Sequence, residues 1–344
     1  MRNILFLLIA LPFAVFAQQK NFKVAIVAFY NCENFYDTIN NPAVNDDEFT
    51  PSGPRNYNSK IYLNKVEKLA TVISQIGTDL NPDGPALLGV SEIENDTVLN
   101  DLIHHPLLKK RNYKIVHYDS KDARGVDVAL IYNPKYFTPE ESKPLFVALP
   151  GGSKKAYFTR DILWVKGNFD GETIHILVNH WPSRLGGEEK SDPSRIAAAA
   201  VCKVQMAKVA ETEPNAKFVI MGDLNDDPTS PSITKVLGAK AKPENVLPGG
   251  IYNPWIDMYK KGIGTLAYQD AWGLFDQIMI TYPWLTKAQQ GFFFYKQFIF
   301  NKEFLVENTG RFKGYPMRTW DGLSYRGGYS DHFPTYLVML KKTN

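Results

Sequence analysis

The feature that most constrains the fold is a short run of apolar residues that ends abruptly in polar ones. Residues 218–221 read Phe-Val-Ile-Met and lead directly into Gly-Asp-Leu-Asn. An apolar run of this length without alternation is typical of a strand that is covered on both faces. Gly222 lets the backbone turn and approach a ligand closely. Asp223 and Asn225 stand two residues apart, so in an extended segment their side chains leave on the same side. The stretch predicts a buried strand that presents a carboxylate and an amide; the alternative is ordinary turn chemistry.

The same pattern recurs along the chain. Polar residues follow apolar runs at five places, namely Asn31 and Glu33, Glu92, Asn179 and His180, Asp223 and Asn225, and Asp331 and His332. Strands outnumber helices, and strands that are apolar on both faces need a covering layer on each side. We therefore predict an α/β fold, a four-layer sandwich of two packed mixed β-sheets with helices on the outer faces. Strand ends gathered at one edge would bring the polar residues into one cleft.

Two helices and one hairpin are predicted from local signals. A helix capped by Ser59 would place one apolar stripe inward, formed by Leu63, Val66, Leu69, Ile73 and Ile76. Asp192 would cap, and Pro193 would open, an alanine-rich helix that runs to about Val209. Residues 162–169 and 172–179 are predicted to pair as a hairpin around Asp170 and Gly171.

The first seventeen residues have the pattern of a secretory signal peptide. Arg2 precedes an apolar segment, and Val-Phe-Ala at 15–17 is a small-residue cleavage pattern. The apolar run is shorter than the roughly 20 residues that a membrane span needs. We expect a mature chain of one domain, residues 18–344, which works in a secreted or periplasmic location and contains no transmembrane segment.

Composition limits the function classes. The 39 basic and 36 acidic residues give a net charge of +3, which is weak support for a nucleic-acid partner, because dedicated binders are usually more basic. The two cysteines, Cys32 and Cys202, exclude a disulfide-rich scaffold but leave a single bridge open. The six histidines and two cysteines contain no cluster with zinc-site spacing.

Taken together, the motifs resemble those of the endonuclease/exonuclease/phosphatase superfamily. That group includes pancreatic-type DNases, exonuclease III-type abasic-site nucleases, neutral sphingomyelinases and inositol polyphosphate 5-phosphatases. The similar segments follow the order of the family and span nearly the whole mature chain: residues 30–34 (YNCEN), 91–92 (SE), 124–130 (RGVDVAL), 179–180 (NH), 222–225 (GDLN), 275–278 (FDQI) and 330–332 (SDH).

The resemblance implies a metal-dependent phosphoester hydrolase. Its expected metal ligands are Glu92, Asn31, Glu33 and Asp331; Glu33 stands where many members have aspartate. Hard oxygen ligands suit Mg²⁺, with Mn²⁺ or Ca²⁺ as alternatives. The cation would neutralise charge that develops on the phosphoryl and leaving oxygens.

The resemblance also implies catalytic roles. His332 would act as general base on water, or would hold the phosphate while Asp223 takes the proton. Asp276 would fix the tautomer of His332. His180 would bind the phosphoryl oxygens, and Asn225 would orient the nucleophile or a phosphate oxygen.

Two further assignments follow from the strand pattern and from charge. Strand alternation places Asn179 and His180 on opposite faces, and we expect His180 to face the cleft. Arg124, Arg160 and Arg326 are candidates to bind substrate phosphate, although each is equally well explained as a solvated turn residue.

The expected function is phosphodiester hydrolysis of a nuclease-like kind, with nucleic acid as the substrate. The alternative on the same fold is a phosphomonoesterase or a phosphodiesterase for small molecules or lipids, acting on sugar, inositol or sphingolipid phosphates. A binding protein on an inactive enzyme fold is disfavoured because each expected catalytic position is filled. No protein partner is predicted.

Overall fold

The computed structural model of the protein describes residues 22–151, 158–286 and 291–343. The predicted signal peptide, residues 1–17, lies outside the described residues.

Two six-stranded sheets form the centre of the fold. Strands are numbered β1 to β16 along the chain. The first sheet has the order β13-β16-β1-β2-β4-β3 and contains β1 (Phe22–Phe35), β2 (Pro85–Ile93), β3 (Lys114–His117), β4 (Asp127–Tyr132), β13 (Phe293–Ile299) and β16 (Thr335–Lys342). β1 and β2 are parallel, and the other neighbours are antiparallel.

The second sheet is mixed in the same way. Its order is β5-β6-β7-β8-β12-β9, with β5 (Phe137–Leu145), β6 (Ile162–Phe169), β7 (Glu172–His180), β8 (Lys217–Asp223), β9 (Ile251–Tyr252) and β12 (Asp276–Thr281). β7 and β8 are parallel, and the predicted hairpin is β6–β7. Two small hairpins complete the strands: β10 (Leu266–Tyr268) with β11 (Ala271–Gly273), and β14 (Trp320–Asp321) with β15 (Ser324–Tyr325).

The helices are few and lie outside the sheets. They are α1 (Ser59–Ile73), α2 (Asp96–His104), α3 (Glu188–Ala210) and the single turn α4 (Ile256–Tyr259). Shorter turns of 3₁₀ or π geometry occupy Asp47–Phe49, Lys109–Arg111, Ser232–Leu237, Pro243–Asn245, Tyr282–Leu285, Glu303–Leu305 and Gly310–Phe312. Within the described ranges, none of the helices combines the length and the apolar character that crossing a bilayer requires.

Three apolar cores lie between four layers, so the predicted four-layer sandwich is confirmed. One core fills the space between α1, α2 and the first sheet, a second lies between the two sheets, and a third lies between the second sheet and α3. Strand β1 illustrates the arrangement, because Ile26 and Ala28 face the first core while Val27 and Phe29 face the second. A strand covered on both faces must be apolar at successive positions, as the sequence has it.

Two details of the prediction for α1 were wrong. Asn58, not Ser59, caps α1, because its side chain accepts the backbone N–H groups of Lys60 and Ile61. Leu63 is 61% exposed, so the buried stripe begins at the neighbouring Tyr62.

Helix α3 also begins earlier than predicted. It starts at Glu188, so Pro193 lies inside it. The extra first turn is stabilised by the buried guanidinium of Arg195, which donates to the Glu188 carbonyl at 3.0 Å and to Ser191 Oγ at 2.7 Å. Proline has no N–H to donate to the preceding turn, and the hydrogen bonds from Arg195 hold that turn instead.

The cysteines are free and lie in different layers. Cys32 belongs to the core beneath α1 and α2, and Cys202 belongs to the core beneath α3. Both side chains are fully buried, and burial raises the pKa of the Cys32 thiol to about 12.

Gly222 permits the close approach of β7 and β8, and its replacement tests this packing. A Cβ at this position would lie 2.3 Å from the Asn179 carbonyl oxygen, a backbone atom that cannot move aside. We expect Gly222→Ala to lower the free energy of unfolding by about 3 kcal/mol or more, since overpacking a rigid site is costly.

Chemical denaturation measures this loss, with Gly89→Ala as the matched control. A Cβ at Gly89 would meet Met221 Sδ at 2.5 Å. Because the Met221 side chain is flexible and can repack, the expected loss is smaller, about 1–2 kcal/mol. Equal losses in the two variants would contradict this account.

Candidate active site

The polar strand ends meet at one edge of the sandwich. In the second sheet His180 pairs with Asp223 across β7 and β8, and Asp223 pairs with Asp276 across β8 and β12. In the first sheet Asn31 pairs with Ser91, the residue before Glu92. The two parallel strand pairs therefore deliver their terminal side chains to the same place.

Several residues at these strand ends have unusual backbone conformations. Glu33, Asn34, Glu92 and Asn225 have φ angles of 48°, 53°, 57° and 48°. Positive φ is uncommon for residues other than glycine, and such strain is concentrated at functional sites. The first three lie where the pairing of β1 with β2 and of β2 with β4 shifts register. Such irregularities re-aim side chains at the end of a strand.

A buried hydrogen-bond chain holds His332. Its Nδ1 lies 2.7 Å from Asp276 Oδ2, and the same oxygen accepts the Thr265 hydroxyl at 2.5 Å. The backbone N–H of His332 donates to Ser330 Oγ, whose hydroxyl donates to the Asn31 carbonyl. These contacts fix the ring so that Nε2 points to Asp223, with 3.9 Å between Nε2 and Oδ2.

Asp223 lies at the centre of the site. Its Oδ2 accepts the Asn31 side-chain amide at 2.9 Å, and its Oδ1 accepts the Asn225 backbone N–H at 3.0 Å. The side-chain amide of Asn225 donates to the Trp181 carbonyl at 2.9 Å. Asp223 is therefore held rigidly between the two sheets.

His180 lies opposite His332 and faces Glu92. His180 Nε2 is 3.8 Å from Glu92 Oε1 and 3.8 Å from Asp223 Oδ2, which is too long for a hydrogen bond. Asn179 points the other way, to the Leu177 and Met221 carbonyls and to Trp181 Nε1. The two neighbours leave β7 on opposite faces, as the strand alternation predicts.

The surroundings shift the pKa values of the two histidines in opposite directions. Burial, together with Arg160, Arg124 and His332, holds the pKa of His180 well below its usual value and so favours the neutral ring. Burial by itself also lowers the pKa of His332, but the carboxylates of Asp276, Asp223 and Asp331 outweigh it and raise that pKa well above the usual range. Burial raises the pKa of Asp223 to about 6, against the opposing effect of His332.

Asp331 forms the open side of the site. Its carboxylate is 35% exposed and has one oxygen 3.9 Å from His332 Nε2. The other oxygen is 3.9 Å from Arg318 Nη2. Arg318 was not among the sequence-predicted residues; it lies in a loop without periodic pattern, so no sequence signal distinguished it.

The side chain of Glu33 is engaged by backbone N–H groups of a loop. Its oxygens accept the backbone N–H groups of Thr319 and Trp320, at 2.6 and 3.1 Å. The ammonium of Lys65, almost fully buried, donates to Thr319 Oγ1 nearby. Burial and Asp331 raise the pKa of Glu33 to about 7, despite Lys65. In this structure Glu33 anchors the 317–329 loop, because its side chain points to that loop's backbone.

The three predicted phosphate-binding arginines are paired with acids or carbonyls. Arg160 is buried and donates to the His180 and Trp181 carbonyls and to Asp122. Arg124, partly exposed, lies 3.5 Å from the same aspartate. Arg326 donates to Glu307 at 3.1 Å. Arg160 therefore positions His180 through its backbone, which the sequence alone did not indicate.

The donor set fits a hard divalent cation. Glu92 Oε2 accepts the Asn34 backbone N–H at 2.9 Å, and Oε1 makes no hydrogen bond among the described residues. Asn31 and Asp223 contribute further oxygen atoms, and Asp223, Asp276 and His332 have ligand-type atoms within 4.8 Å of one another. Carboxylate and amide oxygens are the ligands that Mg²⁺, Mn²⁺ and Ca²⁺ prefer.

A two-sheet sandwich with acids, amides and two histidines at one edge defines a class of phosphoesterases. The profile of the Endonuclease/Exonuclease/phosphatase family matches residues 26–341. The chain belongs to this family of divalent-metal-dependent phosphoesterases. No curated protein sequence matches the chain significantly.

Solved structures share the fold at low sequence identity. An endonuclease/exonuclease/phosphatase family protein from Bacteroides thetaiotaomicron has a TM-score of 0.57 and 15% identity, over 94% of this chain and 100% of that one. TDP2 from D. rerio, complexed with a single-strand DNA product, has a TM-score of 0.53 and 14% identity, over 92% of this chain and 98% of that one. A mannosyl-6-phosphatase from B. thetaiotaomicron has a TM-score of 0.53 and 15% identity, over 92% of this chain and 99% of that one.

The position of Glu33 leads to a prediction about metal binding. We expect Glu92→Gln to raise the Kd for Mn²⁺ about tenfold or more, because it removes a charged ligand. Glu33→Gln should change that Kd much less. It should instead lower the free energy of unfolding by about 1–3 kcal/mol, because an amide cannot accept both backbone N–H groups.

Electron paramagnetic resonance of free Mn²⁺ and urea unfolding measure the two quantities without reference to turnover. A loss of Mn²⁺ affinity in Glu33→Gln as large as that in Glu92→Gln would show that Glu33 is a metal ligand.

Proposed function

We propose that the protein is a Mg²⁺-dependent phosphodiesterase of a nuclease-like kind. The observation that carries this proposal is the geometry of the two histidines: a buried His332–Asp276 couple faces Asp223, and His180 lies beside Glu92. Two titratable groups that are driven to opposite charge states are the arrangement that acid–base chemistry at one phosphate requires.

The geometry supports distinct roles for the two histidines. The His332 imidazolium, held by Asp276, binds a phosphoryl oxygen through Nε2–H. The neutral ring of His180 contributes an N–H donor from the opposite wall. Asp223, with a pKa of about 6, accepts the proton of the attacking water, because a base works best when its pKa lies near the working pH. Asn225 holds Asp223 in place through its backbone N–H.

A bound cation would supply further electrostatic stabilisation. Glu92 and Asn31, with Asp331 beside them, would hold it, and it would neutralise charge on the phosphoryl and leaving oxygens. We assign Mg²⁺ because the donors are oxygen atoms and because the site is partly open to solvent and substrate.

One observation favours a second candidate, a phosphomonoesterase or small-molecule phosphodiesterase. Arg124, Arg318 and Arg326 lie near or beside carboxylates of the protein. A nuclease that follows a polyanionic backbone gains affinity from cations that neutralise phosphates. With a net charge of only +3, the protein would then act on a compact substrate with one phosphate group, such as a sugar, inositol or lipid phosphate.

Substrate assays separate these candidates. The protein is incubated with supercoiled plasmid, single-stranded RNA, bis-nitrophenyl phosphate and mono-nitrophenyl phosphate, each with Mg²⁺ and with excess chelator. We expect cleavage of the diesters that the chelator abolishes. Cleavage of the monoester alone would exclude the nuclease-like proposal, and silence on every substrate would favour a binding protein.

His332→Ala tests the catalytic assignment. We expect turnover to fall by a factor of about 10³ or more, because the variant loses the phosphate donor and the Asp276 couple. The control is His104→Ala, which removes an exposed histidine from the end of α2. Retained activity in His332→Ala would remove this residue from its role.

We also propose that the mature protein acts outside the cytoplasm. The proposal rests on Arg2, the apolar segment after it and the Val-Phe-Ala pattern at 15–17. Intact-mass measurement of protein recovered from a secretion-competent host should give a chain that begins near Gln18. A full-length chain retained in the cytoplasm would contradict it.

A further inference from the structure

A second cluster of ligand-type side chains lies apart from the catalytic residues, at the end of β3 and the start of β4. It consists of His117, Asp119 and Asp127, which offer one imidazole nitrogen and two carboxylate oxygens. These three atoms lie within 4.8 Å of one another. The cluster closes the loop of residues 118–126, because its members are the residue before the loop, a residue inside it and the residue after it.

His117 is held with one ring nitrogen bonded and the other facing the carboxylates. Its side chain is 3% exposed, and Nδ1 lies 2.8 Å from Asp96 Oδ1 in the first turn of α2. This contact places the proton of the neutral ring on Nδ1 and leaves a lone pair on Nε2. Nε2 is buried and makes no hydrogen bond in the described part of the chain.

The carboxylates are arranged around that nitrogen. Nε2 is 3.5 Å from Asp127 Oδ2 and 4.0 Å from Asp119 Oδ1. Asp127 is nearly buried, and its other oxygen accepts the Ser120 backbone N–H at 2.9 Å, which fixes the carboxylate plane. Asp119 is 87% exposed and is free to close on the site from solvent.

We propose that His117, Asp119 and Asp127 bind a first-row divalent transition cation such as Zn²⁺. Bonds of about 2.0–2.2 Å in tetrahedral geometry separate ligand atoms by about 3.4 Å. The separation between Nε2 and Asp127 Oδ2 is already 3.5 Å, and the exposed Asp119 at 4.0 Å would move slightly inward. A ligating histidine typically donates its second N–H to a carboxylate, and Asp96 is that carboxylate here. The imidazole favours a transition metal over Mg²⁺ or Ca²⁺, whose ligands are oxygen atoms. Water would complete the coordination.

The competing explanation is a protonated His117 that forms ion pairs with the acids. Burial lowers the pKa of His117, but Asp127 and Asp96 outweigh it and raise that pKa, so a cation would compete with a proton for Nε2. A protonated ring would donate from Nε2–H, yet Nε2 lies 3.5 Å from Asp127 Oδ2, a distance too long for a well-formed hydrogen bond. A cation accounts for the spacing, because it occupies the gap between atoms that do not touch.

The site would stabilise a loop that is linked to the catalytic residues. Asp122 in this loop accepts a hydrogen bond from Arg160, which in turn donates to the His180 carbonyl. The carbonyl of Arg124, in the same loop, accepts the Tyr36 hydroxyl. A cation that joins both ends of the loop would therefore brace the wall of the cleft behind His180, and the site is structural and not catalytic.

The test is a Zn²⁺ titration in millimolar Mg²⁺, followed by NMR of the histidine side-chain nitrogens and by calorimetry. Six histidines make the spectrum tractable, and the His117→Gln spectrum assigns the His117 signals. We expect one equivalent of Zn²⁺ to shift the Nε2 resonance of His117 and to raise the thermal midpoint of the wild type. His117→Gln should lose this binding, and Asp96→Asn should weaken it about tenfold or more.

Two further variants make the outcome decisive. His104→Gln, an exposed histidine at the other end of α2, should bind as the wild type does. Asp119→Asn alters an exposed side chain, so it tests the site even where His117→Gln fails to fold; it should weaken binding without changing the metal-free midpoint. An unmoved His117 resonance at saturating Zn²⁺, or wild-type affinity in Asp119→Asn, would overturn the proposal.

Discussion

The contact between His332 and Asp276 is the interaction that the rest of the site depends on. A charged imidazole is costly to bury unless its proton and its charge are both compensated. The fold compensates them with Asp276 on one side and Asp223 on the other, at 2.7 and 3.9 Å. Thr265 donates to Asp276 and Asn31 donates to Asp223, so each acid is itself supported. The two sheets must stay in register for all of these groups to meet.

This requirement explains why both sheets are mixed. A parallel pair places two strand ends side by side, and each sheet contributes one such pair to the cleft. The antiparallel neighbours β12 and β16 start where those strands end, so they bring Asp276 and His332 to the same edge. The chain thus builds one polar edge from the ends of β1, β2, β7 and β8 and the starts of β12 and β16.

The sequence predicted most of this edge because the signal was local. Apolar runs that end in acids, amides or histidines identified Asn31, Glu92, His180, Asp223 and His332, and the order of motifs carried the family resemblance. These residues do lie together, since a strand end is determined by its own strand.

What the sequence did not reveal depends on long-range contacts. Glu33 turns to the backbone of Thr319, a residue 286 positions away. Arg160 was expected to bind substrate phosphate or to be a solvated turn residue, but folding buries it against the His180 carbonyl. The first turn of α3 depends on Arg195, so Pro193 could not mark the start of the helix. The partners of Glu33 and Arg160 come from other parts of the chain, and the contacts of Arg195, although only four and seven residues away, follow no apolar periodicity.

The two free thiols allow the opening of the two outer layers of the sandwich to be measured separately. Cys32 is sealed beneath α1 and α2, and Cys202 is sealed beneath α3. Only a thiolate that has reached solvent reacts with a disulfide reagent. The rates of disulfide exchange at the two sulfurs would therefore report separately on the opening of each helical face. Because native state opening is local as well as global, unequal rates would show which face loosens first.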